Sequence, residues 1–204
     1  MKKLLLTSDG LNSPKIKKEF IKLLNKPASE TKVLIMYTVR LKRHLKKFTK
    51  TRKSLVKLGI KKENIIGINI SKPISKTLKK IKFDVFYSCG GNTFYILDRI
   101  KKTHFDRIIK NHVKRGKLYV GVSAGTILTQ KTIEIAGIEK FGDKNDIKLK
   151  NLKSLRIINF AILPHYKKSH KKELTQFKKK VKYKIVPLKN KQAILILGNK
   201  IRKI

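Results

Sequence analysis

Residues 118–128 read LYVGVSAGTIL and set Ser123 between Gly121 and Gly125 in the order G-x-S-x-G. A serine held at a sharp strand-to-helix turn can serve as a nucleophile. Small neighbours tolerate the strained backbone, and N–H groups at the start of the following helix can hold an oxyanion. The Ala124 N–H is the natural first donor. A second loop, Gly90-Gly91-Asn92-Thr93, follows the apolar run 85–89. Its glycines let backbone N–H groups face a ligand, so Gly90 or Gly91 is a candidate second oxyanion donor. The same loop suits a phosphate, or a tight turn in which Asn92 or Thr93 caps a helix.

A nucleophilic serine needs a base. Of the five histidines, His44, His104 and His112 lie in basic helical patterns, and His170 sits among lysines. His165 differs: it ends the stretch ILPHY after the apolar run 157–163, and Pro164 sets it on a loop. The third member is expected to be a carboxylate that orients the imidazole. Glu134, Glu139, Asp143 and Asp146 lie between Ser123 and His165, and spacing leaves all four open.

These residues must be positioned by elements. Apolar runs at 4–8, 33–38, 65–70, 85–89, 118–122 and 157–163 read as strands, with a terminal pair at 183–187 and 193–197. Helical patterns fall between them: one opened by Ser13-Pro14, then 41–58, 75–81, 94–100, 105–113 and 168–181. Strands alternating with helices predict an α/β three-layer sandwich: a mainly parallel sheet, helices on both faces, and a C-terminal edge hairpin made by the terminal pair through a turn at 189–191. In such a sheet ligands bind beyond the carboxyl ends of the strands, where Ser123, the glycine loop and His165 all fall.

At 204 residues the chain is expected to form a single domain, 1–204. The lone Cys89 excludes an intramolecular disulfide and a cysteine-rich metal site, and fits a reducing compartment. It reads as a small buried residue at a strand end. The N-terminal apolar core, Leu4 to Leu6, is too short for a signal peptide, and no run reaches the ~20 apolar residues of a membrane helix. The expectation is a cytoplasmic protein with no membrane partner, no cofactor and no metal.

The 53 Lys and Arg against 12 Asp and Glu give a formal charge of +41. Such an excess attracts polyanions. The lysines are spread over every predicted helix, without a ribonucleoprotein motif or zinc-finger spacing, so salt-sensitive, nonspecific nucleic-acid adhesion is the expectation.

Taken together, the motifs resemble one family. KLLLTSDGL, FDVFYSCGGNTFYIL, YVGVSAGTIL, INFAILPHY and KNKQAILILG, in this order, are similar to segments of the peptidase E (aspartyl dipeptidase) family of serine peptidases, to which cyanophycinases are related. The resemblance implies a fold like the flavodoxin-like, class I glutamine amidotransferase sandwich. It implies Ser123 as nucleophile, His165 as base, and an oxyanion hole from Gly90 or Gly91 with Ala124. The family's acid commonly follows an asparagine in the loop after the serine. Asn145-Asp146 then makes Asp146 the first choice, with Asp143 and Glu139 as alternatives. An amidotransferase would carry cysteine where Ser123 stands. The implied activity is hydrolysis of short, acidic peptides with an N-terminal aspartate, by a monomer or homodimer. The alternative is a catalytically silent scaffold of the same fold that binds a polyanion such as nucleic acid through its charge.

Overall fold

Leu4, Leu5 and Leu6 are all fully buried. Alternate side chains of a strand point to opposite faces, so a strand with no exposed leucine must be covered on both sides. A computed structural model shows how. It describes residues 1–39, 42–73 and 81–204, without the side chains of residues 42–44. The main sheet contains β1 (Lys3–Thr7), β2 (Val33–Tyr37), β3 (Ile65–Asn69), β4 (Val85–Ser88), β5 (Leu118–Val122), β8 (Ala193–Leu197) and β9 (Lys200–Lys203). Their spatial order is β3-β2-β4-β5-β1-β8-β9. The first five are mutually parallel, β8 is antiparallel to β1, and β9 is antiparallel to β8.

The two faces have separate cores. Leu4, Leu6, Leu34, Met36 and Phe86 pack with Leu97, Ile100, Phe105, Ile109 and Ile127, which lie on α3 (Thr93–Lys102), α4 (Phe105–Lys114) and α5 (Ala124–Ile127). Leu5, Val33, Ile35, Val85 and Val120 pack on the other face with Ile16, Phe20 and Leu55, from α1 (Pro14–Lys22) and α2 (Lys42–Val56). Odd and even positions of each strand thus serve opposite layers. Ser13 caps α1 by accepting from the Ile16 N–H, with Pro14 at the first helical position. The predicted helix at 75–81 falls, but for Ile81, outside the described residues. No helix among the described residues is long and apolar enough to cross a membrane.

The C-terminal region corrects the sequence expectation in one respect. An edge hairpin exists, but its strands are β8 and β9, not 183–187 with 193–197. Gly198, in the left-handed region at φ 59°, turns the chain immediately after β8. β7 (Ile185–Pro187) instead pairs in parallel with β6 (Ala161–Leu163) in a separate two-stranded sheet. β6 is also shorter than the apolar run 157–163. Ile157 and Ile158 donate their N–H groups to the Thr129 carbonyl and stay outside the strand.

One buried histidine bears on stability. His112 is 5% exposed, stacks on Phe83 with ring centroids 4.8 Å apart, and lies 2.9 Å from the Leu118 carbonyl through Nε2. Burial, the largest cause, pushes its pKa down from 6.5 to about 4. Its folded state binds fewer protons than the unfolded state between those values, so stability rises with pH there. The contribution is fully present above pH 6.5 and is lost as the pH falls towards 4, about 3 kcal/mol in all. Urea unfolding from pH 7.5 to 4 is expected to show this component, and a His112→Gln variant is expected to lack it.

Candidate active site

β5 ends at Val122, and Ser123 follows at φ 52°, ψ −112°, before α5 begins at Ala124. Few non-glycine residues hold such a conformation, and it costs on the order of 1–3 kcal/mol. The flanking glycines make the turn possible. A Cβ on Gly121 would stand 2.8 Å from the Gly125 carbonyl oxygen, and one on Gly125 would collide with the Ser88 carbonyl oxygen. Two threonines tie the turn down. Thr7 Oγ1 donates to the Gly121 carbonyl and accepts from the Gly10 N–H, both at 2.9 Å. Thr126 Oγ1 lies 2.8 Å from the Thr7 carbonyl and 2.9 Å from that of Gly121, and the Ser123 N–H donates to the Thr7 carbonyl. Both threonines are fully buried. Sequence reasoning missed them, because a threonine among apolar residues carries no chemical pattern of its own.

β6 delivers the histidine. Pro164 and His165 follow its last residue, and the His165 backbone, at φ 57°, is held by donation from its N–H to Ser8 Oγ at 2.8 Å. Ser8 is fully buried and follows directly on β1. The imidazole faces the elbow: His165 Nε2 lies 2.9 Å from Ser123 Oγ. Its other nitrogen, Nδ1, lies 2.8 Å from Asn190 Oδ1. An amide oxygen can only accept, so Nδ1 carries the proton and Nε2 presents its lone pair to the serine hydroxyl.

Where sequence reasoning expected Asp146, with Asp143 or Glu139 as alternatives, the structure therefore has Asn190 on the imidazole. The parallel pairing of β6 and β7 explains why. It directs both strands the same way, and the Leu188 N–H to Leu163 carbonyl and Tyr166 N–H to Leu188 carbonyl bonds, each 2.9 Å, extend the pairing up to the two loops. Asp143 is engaged elsewhere: its Oδ2 accepts from the Thr93 N–H at 2.8 Å and from Thr93 Oγ1 at 2.6 Å, at the start of α3. Asp146 and Glu139 are exposed residues of the same loop.

The glycine loop closes the site from β4. A Cβ on Gly90 would stand 3.1 Å from Ser123 Cβ and 3.7 Å from its Oγ, so a side chain there would crowd the serine. Asn92 caps α3 by accepting from the Tyr95 N–H at 3.0 Å, and its Nδ2 donates to the Lys144 carbonyl at 2.8 Å. The Ala124 N–H, at the first helical position, has no intrahelical acceptor available to it. Gly90 thus brings backbone beside the Ser123 hydroxyl, Ala124 follows the serine directly, and Gly91 packs towards Ile96 and Thr38. Cys89, just before the loop, is buried, and burial pushes its thiol up to about 12, so it stays protonated.

Ser123, His165 and Gly90 open onto a cleft of about 1200 Å³. Lys17 and, from α2 and the residue just beyond it, Lys46, Lys47, Lys50, Lys53 and Lys57 line it. Among the described residues, no group of three or more His, Cys, Asp or Glu side chains is placed to hold a metal ion.

One imidazole nitrogen thus meets the serine hydroxyl, and the other meets an amide oxygen. The sequence model of peptidase family S51 matches residues 4–204. The chain belongs to this family. It is 37% identical over 132 residues to an uncharacterized peptidase of Listeria monocytogenes serovar 1/2a, covering 61% of this chain and 62% of that protein. It is 34% identical to one of Listeria innocua serovar 6a, covering 71% and 70%. Peptidase E of Salmonella arizonae is 32% identical over 57% of this chain and 47% of its own length. The first of these alignments thus spans less than two thirds of its relative. The crystal structure of a Listeria monocytogenes EGD-e protein, provisionally described as a peptidase E, superposes with a TM-score of 0.80 at 28% identity and covers 100% of this chain and 98% of that one. A peptidase from an acI-B1 actinobacterium has the same fold, at TM-score 0.74 and 14% identity. The fold described above is thus shared with both of these structures.

Proposed function

We propose that this S51 family member is a serine peptidase that cleaves short acidic peptides through an acyl-enzyme on Ser123. The observation that carries the reading is the 2.9 Å contact between Ser123 Oγ and His165 Nε2 at a strained strand tip. His165 takes the hydroxyl proton as Oγ attacks the scissile carbonyl. The resulting oxyanion is held by the Ala124 N–H with that of Gly90 or Gly91. His165 then hands its proton to the leaving amine, and the acyl group passes to water by the same steps in reverse. Asn190 fixes the tautomer and the ring plane throughout. It does so without a formal charge, as the asparagine of Cys-His-Asn sites does.

The acidic preference rests on the cleft. Six lysines line it, and a substrate carboxylate entering there gains several cations at once. The resemblance to the peptidase E (aspartyl dipeptidase) family makes an N-terminal aspartate the first side chain to test. The same lysines attract other polyanions, so nucleic acid is expected to compete at low salt and to be displaced as salt rises. The expected site of action is the cytoplasm.

Active-site labelling tests the chemistry without a known substrate. A fluorophosphonate is expected to add one phosphonyl group per chain, on the peptide containing Ser123, because only an activated serine attacks phosphorus at a useful rate. Absence of an adduct, or an adduct on other residues alone, overturns the reading.

A further inference from the structure

Twelve carboxylates face 53 cationic side chains in this protein, and one of the twelve is oddly placed. Asp9 is the single carboxylate among the described residues lining the cleft, where it shares the walls with Ser123, His165 and six lysines. Despite that surrounding, it forms no ion pair among the described residues. Asn12 Nδ2 donates to Asp9 Oδ2 at 2.7 Å and also to the Asp9 carbonyl. The side chain is therefore oriented by a neutral partner and is not tied up in a direct ion pair.

Its position relative to the serine follows from the sheet. β1 and β5 are adjacent and parallel, with Thr7 opposite Val122. Ser123 is one residue beyond that pair and Asp9 two residues beyond it. Gly10, at φ 74°, lies against Val122, since a Cβ there would stand 3.7 Å from Val122 Cγ1. Neighbouring strands lie ~4.8 Å apart, so the two tips are separated by about one to two peptide units.

We propose, resting on the peptidase reading above, that Asp9 binds the free α-ammonium group of the substrate and so restricts cleavage to peptide N-termini. A cleft lined by lysines repels a cation, and an N-terminal ammonium enters it only if one anion is kept for it. Asp9 is that anion. The ammonium carries three donors and is charged at neutral pH, which matches a carboxylate with one oxygen already fixed by Asn12. The lysines take the substrate's acidic side chain, and Asp9 takes its amine. A zwitterionic end of a peptide is then recognised at both charges.

The test compares aspartyl p-nitroanilide with its N-acetylated form, in the wild-type protein and in Asp9→Asn. The wild type is expected to prefer the free amine, and its kcat/KM on that substrate is expected to fall above about pH 8 as the ammonium deprotonates. Asp9→Asn is expected to lower kcat/KM for the free amine about 10- to 100-fold, chiefly through KM, and to flatten that alkaline limb. Labelling of Ser123 by the fluorophosphonate, which carries no ammonium, is expected to proceed in Asp9→Asn, which shows that the variant is folded. Equal turnover of both substrates by the wild type, or an equal loss on both in Asp9→Asn, overturns the assignment to Asp9 alone. Failure of the wild type to cleave either, together with an unlabelled Ser123, overturns the peptidase reading and this assignment with it.

Discussion

Ser123→Gly is expected to abolish turnover and to stabilise the fold. Its φ of 52° and ψ of −112° are near the values a type II′ turn reserves for glycine. The strain of holding a serine there, on the order of 1–3 kcal/mol, disappears when Cβ is removed. Glycine gives back about 0.5–1 kcal/mol through the entropy of the unfolded chain, so the net gain is about 1 kcal/mol. Ser123→Ala retains Cβ and its strain and removes only the hydroxyl. It separates the two effects: both variants are expected to lose about 10⁵- to 10⁶-fold in kcat, and only the glycine variant to unfold at higher urea. Retained hydrolysis in either variant would place the nucleophile elsewhere. A glycine variant less stable than the alanine variant would show that the elbow is unstrained.

The second large effect is at Asn190. Asn190→Ala leaves His165 Nδ1 without the acceptor that sets its proton and its ring plane, while the contact to Ser123 loses its support. A loss of about 10²- to 10⁴-fold in kcat is expected, with the fluorophosphonate adduct forming more slowly at the same residue. Asn190→Asp tests the orienter in the opposite sense. A carboxylate there favours the charged imidazolium, so the acid limb of the pH–rate profile is expected to move to higher pH. Unchanged kinetics in Asn190→Ala would return the orienting role to a carboxylate of the 139–146 loop.

That Ser123 and His165 each sit at a strand tip was legible in the sequence because each follows an apolar run that reads as a buried strand; that the second of these strands lies in a sheet of its own was not. The glycines at 121 and 125 were legible for a related reason: backbone passes where a Cβ would stand. Asn190 was not legible. It lies in KNKQ, a stretch whose lysines and amides read as ordinary turn chemistry, and the search for an orienter followed charge, which an amide lacks. The error over the terminal strands has the same root. Taken as the turn of a hairpin, 189–191 has no task beyond reversing the chain. Seen as the loop between β7, in one sheet, and β8, in the other, it is held against the histidine loop. The acids between Ser123 and His165 drew attention because of their order in the chain, whereas the residue on the imidazole comes from beyond both.

The pairing of β1 with β8 has a consequence in time. β1 waits for a strand made almost 190 residues after it, since Leu4, Leu5 and Leu6 sit opposite Ile196, Leu195 and Ile194. Ser8, which holds the His165 backbone, belongs to the early part of the chain, and Asn190 to the late part. No nascent chain shorter than about residue 190 can bring Ser123, His165 and Asn190 together, however well its first five strands have paired. The three side chains thus come together only after the polypeptide between Ser8 and Asn190 has been made.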